Sequence, residues 1–399
     1  VKLLWIATKA PWPPIDGGRR LLADTLRALA EVGHPTTLVA PIDPRRFDVE
    51  ETARELTAIC RPELVPAVPR GLSGAVLRSL AAGRPLSIER HDLPVVGRRA
   101  AELAAGESFD VVVAEQLQAL SAAERAAAQA DLPVVLRAQN VESDLWRTSA
   151  ERAGPFGGWL LRREARRLAA WEGRAVARAA ATAALTREDA ERLALLAGSE
   201  RSIHAVPPPF PSRLPPADLP LPGEPAVAIL GSRGWRPNVE GARWFLAEVW
   251  PRVRSELPGA RLHLFGLGDL AAGLEEVGVV PHPAPAESRS AFAPGSLMAV
   301  PLHVASGIRM KILEAWARGV PVVATPAAAH GLGADVGREL LVAESAEAFA
   351  AALAELHRDP ARAGALAEAG RGRLGAVHAP ARVAARFEEI FIEARRPSG

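Results

Sequence analysis

The stretch SGIRMKILEAWARGVPVVAT, Ser306 to Thr325, sets a lysine where this chain almost never uses one: of 48 lysines and arginines, only Lys2, Lys9 and Lys311 are lysines. SLMAVPL before it reads as a strand, HVASG as a loop, IRMKILEAWARG as a helix closed by Gly319, and VPVVAT as the next strand. The peptide dipoles of a helix sum to about half a positive charge at its N-terminus, so Arg309 and Lys311 stand where a cation is disfavoured by roughly 0.3 to 1 kcal/mol each. A bound phosphate reverses that sign, because free helix-end N–H groups and a mobile ammonium both favour it. Glu314 follows three residues later, on the same face one turn away. A carboxylate there suits a ribose diol, whose two hydroxyls both donate to it. Together these residues describe a nucleotide diphosphate site; the alternative is that Lys311 and Glu314 form an ordinary solvated surface pair.

The elements that must position such a site alternate along the chain. VKLLWIAT, TTLVAP, FDVVVAEQ, LPVVLRAQ and ATAALT are short β-rich runs separated by Ala/Leu/Arg helical patterns, and alternation of this kind predicts a parallel sheet covered by helices on both faces. VPPPFPSRLPPADLPLPGEP, at 206–225, excludes a helix and favours a stiff connector. The pattern then restarts with PAVAILGS, ARLHLFGLG, SLMAVPL and VPVVAT. We therefore expect a first doubly wound domain at 1–205, a proline-rich linker at 206–225, a second doubly wound domain at 226–378 and a C-terminal helix within 379–399. Open α/β sheets gather ligands outside the carboxyl ends of their strands, so two such domains are expected to face one another across a cleft.

Composition narrows the function further. A chain of 399 residues, 49% hydrophobic and 24% charged, is comfortable as two domains. A single cysteine, Cys60, excludes an intrachain disulfide framework and any multi-cysteine metal site, and a reducing compartment is its simplest home. No apolar run approaches the roughly 18 to 20 residues of a membrane span, and the first residues read as a strand; the expectation is a cytoplasmic protein. The net charge of +2 is too small for a general nucleic-acid binder. The nine histidines form no H-E-x-x-H pair, and no D-x-D occurs, so neither a metal nor another cofactor is expected. FGLGD lacks the full G-x-G-x-x-G fingerprint of a dinucleotide site. The arginine-rich helix WLLRREARRLAAWEGRAVARAA, 159–180, could hold the protein to the inner face of an anionic membrane or could simply be solvated.

The segment SGIRMKILEAWARGVPVVAT and the HGL that follows resemble the donor-site motif of GT-B retaining glycosyltransferases, close to family 4, in the subgroup with G-S-G-I-R-x-K-I-L-E-A. PPIDGGRR near the N-terminus, LRAQNVESDLWR at 136–147 and ILGSRGWRPNVEGARWFLAEVWP at 229–251 extend the resemblance over most of the chain. It implies two Rossmann-like domains with the last helix crossing back to the first. The implied activity moves a hexose-type sugar, with retention, from a nucleoside-diphosphate-sugar donor to a hydroxyl acceptor on a glycan, lipid-linked saccharide or natural product. In this pattern Glu314 holds the ribose, while the preceding glutamate that usually contacts the donor sugar is replaced by Ser306. Lys311 is implied to neutralise the diphosphate, with Arg236 and Glu142 beside it as catalytic candidates. Gly17, Gly18, Arg233, Gly307 and Arg309 complete the implied donor contacts.

Two features depart from that pattern or leave alternatives open. Relatives commonly read H-N-x-E where this chain has Gln139, Asn140 and Glu142, and glutamine cannot act as a general base. Gln139, Asn140 and Glu115 are candidates for the acceptor side, although Glu115, at the end of DVVVAEQ, also reads as a capping or loop carboxylate. Gly17 and Gly18 permit close backbone approach, as any tight strand-to-helix turn would. With Ser306 and Gln139 in place, a catalytically silent nucleotide-sugar-binding scaffold and a nucleotide-sugar epimerase stand as alternatives.

Overall fold

The computed structural model describes residues 1–151, 153–198, 202–285, 287–304 and 307–396. Ser306 lies outside them. The chain divides into two units, Val1–Pro209 with Pro380–Gly399, and Phe210–Ala379. Each unit is a parallel sheet covered by helices, so the doubly wound α/β class holds for both.

The first unit carries β1 (Leu3–Ile6), β2 (Thr36–Ile42), β3 (Arg61–Pro66), β4 (Val111–Glu115), β5 (Val134–Ala138), β6 (Ala181–Ala184) and β7 (Ile203–Ala205), ordered β3-β2-β1-β4-β5-β6-β7. Every pairing is parallel, and β1 sits between β2 and β4 with Leu3 opposite both Thr36 and Val111. The strand order reverses there, which leaves a crevice at the carboxyl ends of β1 and β4. Leu4 and Ile6 face one apolar core and Leu3 and Trp5 the other, the burial on both faces that a parallel sheet requires. The second of these cores is closed by the helix Gly17–Glu31 and by the last helix, Pro380–Ala394, through Val383, Phe387 and Phe391.

The second unit carries β8 (Ala226–Leu230), β9 (Arg261–Phe265), β10 (Val279–His282), β11 (Leu297–Val300), β12 (Val322–Ala324) and β13 (Leu341–Val342), in the order β10-β9-β8-β11-β12-β13. Its reversal falls between β8 and β11. The proline-rich stretch is not helical, but from Phe210 onward it is laid along this unit: Phe210 is buried, Leu214 N donates to Ala317 O at 3.0 Å and Ala217 N to Phe292 O at 2.9 Å. Arg318 donates to the Pro215 carbonyl, and Arg289 Nε to that of Pro216 at 2.7 Å. Proline carbonyls remain acceptors even where the nitrogen cannot donate, and this is how an otherwise free connector is fastened.

The helix Arg236–Trp244 depends on Gly241 for its position, because a Cβ there would run into the Pro301 carbonyl oxygen at the end of β11. Gly241→Ala is expected to cost about 1 to 3 kcal/mol of stability by overpacking, visible as a fall of several degrees in the thermal midpoint; an unchanged midpoint would contradict this packing.

Candidate functional site

The helix Met310–Arg318 begins beside the reversal between β8 and β11, with Arg309 as its N-cap and Gly319, at φ 74°, closing it. Lys311 therefore lies in its first turn, as the pattern predicts. Its Nζ donates to Leu230 O, the last carbonyl of β8, at 2.5 Å and to Asn238 Oδ1 at 3.0 Å. Among the described residues no carboxylate lies within ion-pair distance of this ammonium. Burial, and then the neighbouring Arg309 charge, push its pKa down from the ordinary 10.5 to about 7, since removing water penalises the charged form. The unfolded chain thus holds this proton across a window, about pH 7 to 10.5, where the folded chain releases it; through that window the group makes the fold more stable as pH rises.

Glu314 shares the face of Lys311 but does not pair with it. It is buried, and its Oε1 accepts from Ser288 Oγ at 2.6 Å and from Arg318 Nε and Nη2 at 3.0 and 2.8 Å. The solvated surface pair is thereby set aside: one partner points under β8 and the other inward to Ser288 and Arg318. Arg309 is buried too, its guanidinium 5.7 Å from the Trp235 ring centroid and donating to the carbonyl of Gly307. Gly307 holds φ 64°, a left-handed geometry that favours glycine.

The two arginines expected to clamp phosphate are elsewhere engaged. Arg233, in the loop after β8, pairs with Asp269; Arg236, the first residue of its helix, donates from Nε to Glu240 Oε1 at 2.6 Å and is largely exposed. Spacing reads neither exposure nor partner, and an i,i+4 arginine–glutamate pair is the ordinary fate of such a residue. Asn238 reaches Lys311 instead.

The first unit brings a second set together at its own reversal point. Thr8 Oγ1 donates to Gln116 Oε1 at 3.0 Å, Gln116 Nε2 to Gln139 Oε1 at 3.0 Å, and Gln139 Nε2 to Glu115 Oε1 at 2.6 Å. Glu115 also receives Trp5 Nε1 at 2.9 Å and both bonds of Arg137 Nη1, at 2.9 and 3.1 Å. It is not the open strand-end carboxylate expected, because a buried indole and guanidinium occupy it. Gln116, a non-glycine residue at φ 69°, sits in a conformation that side chains avoid.

Gly18 lies against this chain of amides, where a Cβ would sit 3.0 Å from Gln139 Oε1, while Gly17 has open space around it. Asp16 caps the helix and joins Lys9 Nζ at 2.8 Å. Lys9, Gln116 and Asn238 are site residues that motif reading passed over; the rarity of lysine was the available signal for Lys9. Asn140 is half-buried in the turn before the helix Glu142–Glu151. Glu142 stands apart from the amide chain. Burial first, and the Glu172 carboxylate second, push its pKa up to about 7, against a hydrogen bond from Gln118. Glu172 in turn caps the helix, accepting from Glu142 N at 2.8 Å and Ser143 Oγ at 2.7 Å.

Among the described residues no group of three or more His, Cys, Asp or Glu is placed to hold a metal ion, and no helix is long and apolar enough to cross a membrane. The arginine-rich helix spans Pro155–Arg178.

Comparison with known proteins adds a family to this geometry. Residues 16–209 match the family model described as glycosyl transferase 4-like domain, and residues 224–359 the one described as glycosyl transferases group 1. Among solved structures, sucrose-phosphate synthase from Thermosynechococcus elongatus is similar with a TM-score of 0.71 at 17% identity, covering 98% of each chain. HepE from Anabaena, in complex with UDP and glucose, gives 0.63 at 15% identity, with 97% of this chain and 98% of that one covered. A glycosyltransferase from Rickettsia africae gives 0.66 at 11% identity, over 100% and 99%. These likenesses concern the fold, which they identify as GT-B. A comparison with curated proteins gives no significant match.

Lys311 is directly testable, because so few lysines compete with it. In protein whose lysines carry 13C-methyl labels, the Lys311 signal, assigned by its loss in Lys311→Arg, is expected to titrate near pH 7. A midpoint above 9 would contradict an uncompensated buried ammonium.

Proposed function

Since the chain belongs to the glycosyltransferases, its first part matching the 4-like domain and its second the group 1 domain, we propose that it transfers a hexose-type sugar from a nucleoside-diphosphate-sugar donor to a hydroxyl acceptor, with retention and without a metal ion. The observation that carries this reading is Lys311: a partly buried ammonium at a helix N-terminus, at the reversal point of the sheet, bonded among the described residues to neutral oxygens only. Dipole and ammonium are both uncompensated there, and a diphosphate supplies the missing charge. HepE, of the same fold, is described in complex with UDP-glucose, which is consistent with a donor of this class.

In the proposed reaction the bond from the anomeric carbon to the diphosphate oxygen breaks and a bond to the acceptor oxygen forms on the same face. The acceptor proton passes to the departing phosphate. Negative charge builds on the diphosphate as it leaves, and Lys311 with the helix N–H groups stabilises it where water is partly excluded. Glu314 serves the ribose: a ribose hydroxyl would take over the O–H to carboxylate bond that Ser288 now makes, while Arg318 keeps the carboxylate in place. No protein base is required, which fits glutamine at position 139 and a Glu115 that is already occupied. Ser306 is proposed on the donor side from its place in the motif alone.

Lys311→Ala and Glu314→Gln are expected to lower kcat/KM at least a hundredfold in folded protein, with EDTA leaving the wild-type rate unchanged. Full activity in both variants, or a strict need for added divalent metal, would defeat this assignment. Nucleoside diphosphate affinity should also weaken about tenfold per pH unit above pH 7, because binding must then supply the Lys311 proton.

An anionic bilayer is the further partner we propose. The helix Leu72–Ala82 buries only Ala75 and Ser79 and exposes Leu72, Val76, Leu77 and Leu80. It is tied to the helix Pro155–Arg178 by Arg167, whose Nη1 donates to Ser79 Oγ at 3.2 Å, and that helix exposes Phe156, Trp159 and Leu160. Arg162, Arg163 and Arg166 are exposed on it. Apolar side chains of this size, interleaved with arginine, match an anionic interface. The chain is expected to sediment with vesicles containing phosphatidylglycerol and not with pure phosphatidylcholine, and the double variant Leu77→Ser, Leu80→Ser should lose at least nine-tenths of that binding; equal behaviour on both lipids would refute the surface.

A further inference from the structure

The first unit holds a cavity of about 330 Å³ at the carboxyl ends of β1 and β2, beside the reversal of the sheet. Sharing the liquid volume of water at roughly 30 Å³ per molecule, it has room for about eleven waters, several times what a bare phosphate needs. Its charged lining is Lys9, Arg19, Arg46 and Asp43. Asp43 is turned to its own bend, accepting from Arg45 N at 3.0 Å. Asp16, just outside the lining, holds Lys9 and lies 3.3 Å from Arg19 Nε. His91 also lines the cavity; its Nδ1 meets the Ser87 carbonyl at 2.9 Å, so that nitrogen donates, and burial together with Arg90 and Lys9 lowers its pKa. Three fixed cations thus answer to two acids.

Arg19 is the most telling of the three. Its side chain is 12% exposed, its guanidinium stacks 4.6 Å from the Phe47 ring centroid, and while Nε faces Asp16 at 3.3 Å, Nη1 is buried with no hydrogen-bond partner among the described residues. Burial, and behind it the Arg46 charge, lower its pKa. Buried donors are rarely left unfilled, and a guanidinium has no acceptor capacity of its own. The group that fills it must be an acceptor, and beside Lys9 and Arg46 an anionic one. Thr8 and Gln116 stand at the same rim, where they can meet hydroxyls.

We propose that this cavity takes a phosphoryl group of the acceptor, held by Arg19, Lys9 and Arg46, so that the acceptor is a phosphorylated hydroxyl compound. The word acceptor rests on the glycosyltransferase reading; the anion site rests on the cavity and its cations. Phosphate could arrive on a soluble sugar phosphate or on a lipid phosphate, and the two share this chemistry.

Calorimetry on the whole chain with phenyl phosphate tests the site, with UDP, GDP and ADP titrated into the same samples as the control on the second unit. Phenyl phosphate is expected to bind and phenol not to. Arg19→Gln and the exposed Arg46→Gln should each weaken phenyl phosphate at least tenfold while leaving nucleotide affinity unchanged. Absence of phenyl phosphate binding, or binding indifferent to both arginines, would overturn the proposal while nucleotide binding left the transferase reading standing. Nucleotide-sugar turnover with glucose 6-phosphate set against glucose, and with a polyprenyl phosphate in vesicles set against the free polyprenol, separates the two sources. Equal turnover with and without phosphate in both pairs would also overturn it.

Discussion

An ammonium removed from water and met, among the described residues, by neutral oxygens only must be held by its surroundings, and much of the second unit does that holding. Lys311 reaches the last carbonyl of β8 and Asn238, so β8, its loop and the helix Arg236–Trp244 must be fixed relative to the helix that carries it. The missing Cβ of Gly241 allows that helix to approach Pro301. Trp316, five residues after Lys311, packs against Gly370, where any side chain would strike its ring, and donates its indole N–H to Glu339 O at 2.8 Å. Gly319 lies as close to Arg371. Close approach without side chains, repeated along one helix, is what allows an unfavourable charge to persist.

The first unit solves the opposite problem. Glu115 is 2% exposed, yet Trp5, Arg137 and Gln139 all donate to it. A buried carboxylate so enclosed orders its neighbours. Its influence is passed outward through Gln139 and Gln116 to Thr8, fixing the amides at the sheet's reversal point. The two buried charges differ in their partners: Glu115 has its counter-ion in Arg137, whereas among the described residues no carboxylate lies within ion-pair distance of Lys311.

Central strands were legible because burial on both faces leaves continuous apolar runs such as VVVAE and LMAV. The four strands that sequence patterning passed over, β3, β7, β10 and β13, are the edges of the two sheets. β3 reads RPELVP and β10 VVPH, and proline in a run argues against a central strand while being tolerated at an edge; β7 and β13 have three and two residues, too few for any period. The helix Met310–Arg318 was legible through its charge, since cations in a first turn contradict the dipole. The partners of Arg233 and Arg236 were not legible, because spacing does not say which acid an exposed arginine meets: Asp269, distant in sequence, for Arg233 and Glu240, one turn on, for Arg236. The cations of the first unit's cavity were illegible for the same reason: Lys9, Arg19 and Arg46 meet only after the strands have paired.

The last helix bears on how this molecule comes into being. Trp5 packs edge-on to Phe387, with centroids 6.1 Å apart, and Arg137 lies 5.6 Å from that same ring. A core built by β1 is therefore completed by residues that follow the whole second unit in the chain. During synthesis the part of this core that Val383, Phe387 and Phe391 close stays open while the whole second unit emerges, a long interval in which, of the two helices that close the core, the helix Gly17–Glu31 alone covers Leu3, Trp5 and Leu38. Domains made first commonly fold first; here the earlier one is complete only once the helix Pro380–Ala394 has followed the second unit.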